Sequence, residues 1–135
     1  MDQSIQLANY ATTAAVHVTL SGVICYTLFL SEQAREELSF YAWWALFGVM
    51  LDTFSWGIHQ SWFGYRWYLL MADDPGTVWF RDNSWLLTPN YFLGWIGVAV
   101  TTTAFLRGRF VHSLALKATL ISGWWVFVWH MGSSV

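Results

Sequence analysis

Residues 51–70 read LDTFSWGIHQSWFGYRWYLL, at the end of a long apolar run. Asp52, His59 and Arg66 recur there every seventh position, with aromatic and other polar residues between them. On a helix, positions 52, 56, 59, 63 and 66 share one face. This stretch therefore sets an acid, an imidazole and a guanidinium on one stripe. Successive members stand two turns apart, about 10 Å. They cannot pair with each other along one straight helix, so each needs a partner from another helix or another subunit.

The surrounding chain makes such a stripe unusual. Its 135 residues are 56% hydrophobic, 20% aromatic and only 10% charged, whereas a soluble domain carries roughly a quarter charged residues. That shortage predicts a single-domain integral membrane protein. Six Lys+Arg against eight Asp+Glu leave no basic footprint, so nucleic acid is not an expected partner. Cys25 is the single cysteine. It lies inside an apolar run and reads as a small buried hydrophobe.

Apolar windows of about 20 residues fall at about 8–30, 39–60, 89–106 and 113–131. The expected fold is all-α: four transmembrane helices in two antiparallel hairpins, the second helix extended beyond the bilayer. SEQAREEL after the first window is too charged for lipid, and RGRF divides the last two. An outer loop at 72–88 carries the turn signal Asp74-Pro75-Gly76. Thr88-Pro89 reads as an N-cap followed by proline at the first helical position. The opening MDQSIQLANY has no Lys or Arg, so the first window is expected to be a retained span rather than a cleaved signal.

Arg35, Arg107, Arg109 and Lys117 mark one side of the membrane, Arg66 and Arg81 the other. The positive-inside rule then puts both hairpin tips in the cytoplasm and both termini outside, in a bacterial inner membrane. In that frame His59 lies near the outer boundary, Arg66 lies beyond it, and Asp52 is truly inside. Counted inward from Ala8, His17 reaches a similar depth, so an Asp52–His17 pair across antiparallel helices is expected. Asp52, His17, Asn90 and nearby hydroxyls then form a hydrogen-bonded plug that sets helix register, or else Asp52 lines a proton, ion or water path or a subunit interface that opens. Arg66 is expected to meet lipid phosphate or one of Asp73, Asp74 and Asp82. Residues 60–71 are expected to form a helical extension packed on the outer surface or on a neighbouring subunit.

Other constellations are weaker. Of the four histidines, His17, His59, His112 and His130, His59 and His130 both fall near outer helix ends, where facing imidazoles are what axial ligation of haem b requires. A zinc site from His17, Asp52 and His59 is disfavoured by depth, and no metal is expected. Eleven tryptophans read mainly as an interfacial belt, with a quinone, pigment or lipid site as the alternative use. Small-residue pairs Ala11/Ala15, Gly97/Thr101, Ala99/Thr103 and Ala118/Ser122 favour helix association. There is no nucleophile–base arrangement, phosphate loop or CxxC, so no enzyme activity is expected.

A very short, Trp-rich chain with several apolar spans is similar to small membrane proteins encoded by tailed phages, including holin-like proteins. Many holins carry a charged C-terminal tail, whereas this chain ends HMGSSV. The leading expectation is a non-enzymatic membrane protein that self-associates or assembles with partners as a holin-like pore or channel. The alternative is an accessory or anchor subunit of a larger membrane complex, holding haem b or quinone. The bilayer, and either further copies or other membrane subunits, are the expected partners.

Overall fold

The computed structural model describes residues 2–108 and 113–133. They form six helices: α1 Gln3–Phe29, α2 Glu32–Glu37, α3 Phe40–Met71, α4 Gly76–Asp82, α5 Thr88–Arg107 and α6 Leu114–Ser133. A 3-10 turn, Ser84–Leu87, precedes α5, and no described residue is in a strand. By length and apolarity α1 alone among the described helices meets the standard for crossing a membrane. Trp, Tyr, His and Gln lower the mean hydropathy of α3, although it is the longest helix.

Local chemistry sets the helix ends. Asp2, Ser31 and Ser39 each accept a hydrogen bond from a first-turn amide of α1, α2 and α3 respectively, satisfying donors that lack a partner within the helix. At its other end α3 closes through Asp73, which sits at φ 53°. The Asp74 amide donates to Leu69 O at 2.9 Å and the Asp73 amide to Leu70 O at 3.2 Å. This pair of bonds defines a Schellman ending, here with aspartate at the left-handed position usually held by glycine. Asp74 Oδ1 then accepts from the Gly76 amide at 2.7 Å and turns the chain into α4.

α3 is the middle of a row, with α1 against one face and α5 against the other. Bonds from end to end fix α1 antiparallel to α3. Trp43 Nε1 donates to Leu28 O at 3.4 Å, Ser21 Oγ to Met50 O at 3.4 Å, and Trp67 Nε1 to Gln3 O at 3.1 Å. The α1 side buries Ala14, His17, Ser21, Ile24 and Leu28, one narrow stripe spaced by threes and fours. The facing glycines of α3 let the backbones close. A Cβ on Gly57 would lie 2.8 Å from Val18 Cγ2, and one on Gly64 would lie 3.0 Å from Tyr10 Cβ.

The α5 side is closer still. A Cβ on Gly97 would stand 2.5 Å from Gly48 O and 2.8 Å from the Asp52 amide nitrogen, so only glycine fits that crossing. Thr101 Oγ1 donates to Ala45 O at 2.9 Å across it. Residues of the smallest exposure are hydroxyl-bearing rather than large and apolar: Thr53 and Thr101 are at 0%. Many large apolar side chains point outward, as with Val16, Val23, Phe92, Ile96 and Val126. The interior combines small and polar residues with a few large apolar ones such as Leu28 and Leu87, while much of the exterior is large and apolar.

Several expectations change here. The helices alternate in direction, but they form a row rather than a closed bundle. α6 leans on α5 and, among its described side chains, buries only Trp124, with Leu114 at 82% and Trp129 at 79% exposure. The segment 72–88 is not a plain loop: it holds α4 and the 3-10 turn. Thr88 is not an N-cap, because the 3-10 turn runs straight into α5 and Leu87 occupies the cap with no side-chain bond. Pro89 still lies in the first turn, where its missing N–H leaves no bond unmade. Cys25 is exposed rather than buried, on the outer face of α1. Of the small-residue pairs, Gly97/Thr101 lies buried at the α3 crossing, while Ala11/Ala15, Ala99/Thr103 and Ala118/Ser122 lie on exposed faces. Arg109 and His112 fall outside the described residues.

A candidate binding groove beside α3

The α5-facing stripe of α3 runs Ala45, Gly48, Asp52, Ser55, His59, at the three-and-four spacing of one helix face. Opposite it α5 presents Asn90, Gly94, Gly97 and Thr101. Ser55 and Asn90 bond reciprocally: Ser55 Oγ donates to Asn90 O at 2.8 Å and Asn90 Nδ2 donates to Ser55 O at 2.9 Å. Both bonds are buried, and they pin α3 to α5 between Asp52 and His59.

Where α6 approaches, these helices leave a cavity of about 340 Å³. Its polar lining is Asp52, Ser55 and His59, and its walls include Trp56, Tyr91, Trp95, Trp125 and Trp129. Asp52 is 2% exposed and His59 is 7% exposed, yet Asp52 Oδ2 and both ring nitrogens of His59 have no hydrogen-bond partner. A Cβ on Gly94 would lie 3.8 Å from Asp52 Oδ1, so the missing side chain at 94 makes room beside the carboxyl. His59 is held by rings instead: Phe63 at 4.7 Å, Trp56 at 5.0 Å and Tyr91 at 5.6 Å between centroids. No Lys or Arg lines the cavity, and the one ion pair among the described residues is the exposed Arg81–Asp82 contact.

The structure does not bring Asp52 and His17 together. His17 faces α1's own crossing with α3, its Cβ 3.7 Å from where a Cβ on Gly57 would stand, and its Nδ1 donates to Thr13 O at 2.8 Å. Gly57 and Asp52 are five residues apart, about 140° around the helix, so the acid turns toward α5 while the histidine packs on the other side. With Ser21 opposite Met50, His17 lies within a few residues of the level of Asp52, and it is the side of α3 rather than the depth that separates them. The plug of Asp52, His17 and Asn90 is accordingly replaced by the Ser55–Asn90 pair, and the trio His17, Asp52, His59 is not assembled as a metal site. Arg66 is half-buried and makes no ion pair with Asp73, Asp74 or Asp82. His130 is exposed on α6 and does not line the cavity that holds His59, so the two imidazoles do not face each other as axial ligands.

Ser55, Tyr91, Gly94 and Trp95 were not legible as site residues. Ser55 had a signal, since it sits three residues after Asp52 and four before His59 on the same stripe. The α5 members had none until the register of α3 against α5 was known. No known protein family, curated protein or solved structure matches this chain.

Proposed function

We propose that this chain is a non-enzymatic integral membrane protein that crosses the bilayer four times, through α1, α3, α5 and α6. Both hairpin tips lie in the cytoplasm and both termini outside. Its role is that of an accessory subunit, holding a lipophilic molecule in the groove beside α3 and meeting further copies or other subunits through the open flanks of the row. The inverted distribution of side chains supports the membrane part of this reading. Lipid supplies no hydrophobic drive between helices, so small residues and hydrogen bonds hold them together, as Gly48, Gly97, Ser55, Asn90 and Thr101 do here.

The observation that carries the binding part is the pair Asp52 and His59, both buried, both with unpartnered atoms, both lining one aromatic cavity. A buried polar group without a partner costs about 1–3 kcal/mol, so two such groups on one wall are a destabilising feature that a ligand would relieve. A holin-like pore finds less support. Pore formation calls for a polar surface that neighbouring copies can enclose, whereas the polar residues of α3 face α1 and α5 of the same chain.

The reading is tested with Nile red, a neutral lipophilic dye, added to the purified protein in detergent and in nanodiscs. Saturable dye uptake is expected, and Val128→Trp, which fills the groove from α6, is expected to abolish it with the helical circular dichroism unchanged. Equal uptake by Val128→Trp overturns the groove. The membrane part rests on Cys25: it is expected to resist a membrane-impermeant maleimide in intact vesicles from either side and to react in SDS. Labelling in intact vesicles overturns the insertion.

A further inference from the structure

We propose that the groove is selective for a compact lipophilic organic cation, a quaternary ammonium or phosphonium type of group, with Asp52 as its counter-ion. This rests on the binding role proposed above and adds the charge class of the ligand. Three independent observations carry it. First, Asp52 is almost fully enclosed with an unpartnered oxygen, and no cationic side chain lines its cavity. His59 cannot serve as the counter-ion, because it stands two turns away, about 10 Å along the helix. A carboxylate in such a place needs a positive partner, and the described residues of the chain supply none.

Second, the walls are rings. Trp56, Tyr91, Trp95, Trp125 and Trp129 surround the polar strip from three helices, and the faces of indole and phenol attract cations through their negative quadrupole. Aromatic cages with one acid recognise quaternary ammonium groups, which cannot donate hydrogen bonds and are held by charge and ring faces alone. Ser55 is already bonded to Asn90, so the strip offers little besides the carboxyl and the imidazole to a neutral polar ligand. His59, at the far end, is placed for a donor or acceptor substituent on the cation.

Third, the site has a route. Trp95 and Trp125 approach only to 6.5 Å between centroids, Trp124 is the one buried residue among the described side chains of α6, and Trp129 at the rim is mostly exposed. A cation partitioned among lipid tails reaches Asp52 sideways, past the rim of α6, without passing through the protein. The cavity, at about 340 Å³, lies at the small end of the range for ligand sites, which selects a compact group.

The experiment measures tryptophan-fluorescence quenching and calorimetric binding of methyltriphenylphosphonium, with the neutral triphenylphosphine oxide as its shape-matched comparator. The cation is expected to bind at least tenfold more tightly than the oxide. Asp52→Asn, which keeps size and hydrogen bonding, is expected to erase that preference by lowering the affinity for the cation to that for the oxide. Trp129→Leu, at an exposed rim position that does not endanger the fold, is expected to weaken the cation several-fold. Equal or tighter binding of the oxide, or a cation affinity unchanged by Asp52→Asn, overturns the proposal. Because Nile red reports the groove independently of charge, loss of the cation preference alone leaves the binding role standing, and loss of dye uptake removes both.

Discussion

Ser55 and Asn90 hold α3 and α5 together by giving one side-chain hydrogen each to the other's main-chain carbonyl, at 2.8 and 2.9 Å. The arrangement replaces the apolar interlock of a soluble core. Each helix here satisfies a polar side chain on the backbone of its neighbour, one turn away from a carboxyl and an imidazole that stay unpartnered.

That reciprocity predicts a graded mutant series. Ser55→Ala and Asn90→Ala each remove one of the two bonds and are expected to destabilise the protein by about 0.5–1.7 kcal/mol, the range of interhelical side-chain bonds in membranes. Asn90→Asp is expected to be worse than Asn90→Ala, because it swaps the donor facing Ser55 O for a second acceptor and buries a charge. Unfolding titrations in SDS check the order, and an Asn90→Asp variant as stable as Asn90→Ala contradicts the bonding.

The glycines predict a sharper contrast. At Gly97 an added Cβ would meet Gly48 O at 2.5 Å and the Asp52 amide at 2.8 Å, both backbone atoms that cannot swing aside. Gly97→Ala is expected to force α3 and α5 apart and cost about 1–3 kcal/mol, the usual price of overpacking. At Gly22 and Gly123 nothing lies within 4 Å of the added atom. Alanine there is expected to be neutral or to stabilise by up to about 1 kcal/mol through helix propensity. The same denaturation assay separates the two classes.

How much of this was legible in the chain follows from what sets each feature. The stripe of Asp52 and His59 is visible because periodicity along one helix is a local property. So is the continuation of α3 to Met71, since residues 60–71 stay aromatic without a proline, and a single glycine, Gly64, is tolerated inside a helix. The partner of the stripe is not local. It depends on which side of α3 each neighbour occupies, and the register between helices follows from backbone approach at Gly48, Gly57, Gly64 and Gly97. Glycine marks close approach without naming the helix that approaches, so His17 and Asp52 at similar estimated depths looked like a pair although they lie on different sides. The pairing of Ser55 with Asn90 was hidden for the same reason.

Acid is expected to loosen the start of α1. Asp2 accepts from the Ser4 amide at 3.0 Å and from Ser4 Oγ at 2.8 Å, and these bonds, the amide first, hold its carboxyl below the ordinary carboxylate value. A lowered folded value means that the cap contributes fully above the unfolded pKa, about 3.9, and fades as pH falls through the folded one. The amide of Ser4 is therefore expected to lose protection against hydrogen exchange below about pH 4. Asp2→Asn, which caps without titrating, is expected to make that protection independent of pH. Equal pH dependence in both proteins contradicts the cap.

The last prediction concerns residues 60–71, the end of α3. This segment is helical to Met71 and is covered on one side by α4, with Phe80 at 4.8 Å from Trp62 and 5.3 Å from Tyr65 between ring centroids. On the other side Gly64 lets Tyr10 approach, and Trp67 Nε1 donates to Gln3 O at 3.1 Å. Arg66 takes no part in these contacts by any ion pair. Slow hydrogen exchange is thus expected through 60–71, and Arg66→Ala is expected to leave it slow. Phe80→Ala, which withdraws the ring that α4 sets against Trp62 and Tyr65, is expected to accelerate exchange there by about tenfold or more, the equivalent of a local loss of at least about 1.4 kcal/mol. Trp67→Phe keeps the ring and removes the bond, so its effect is expected to be smaller and confined to the last two turns and to the start of α1. Rapid exchange across the whole segment in the unaltered protein contradicts a packed extension. Acceleration by Arg66→Ala equal to that by Phe80→Ala instead moves the stabilising contact from α4 to a partner of the guanidinium.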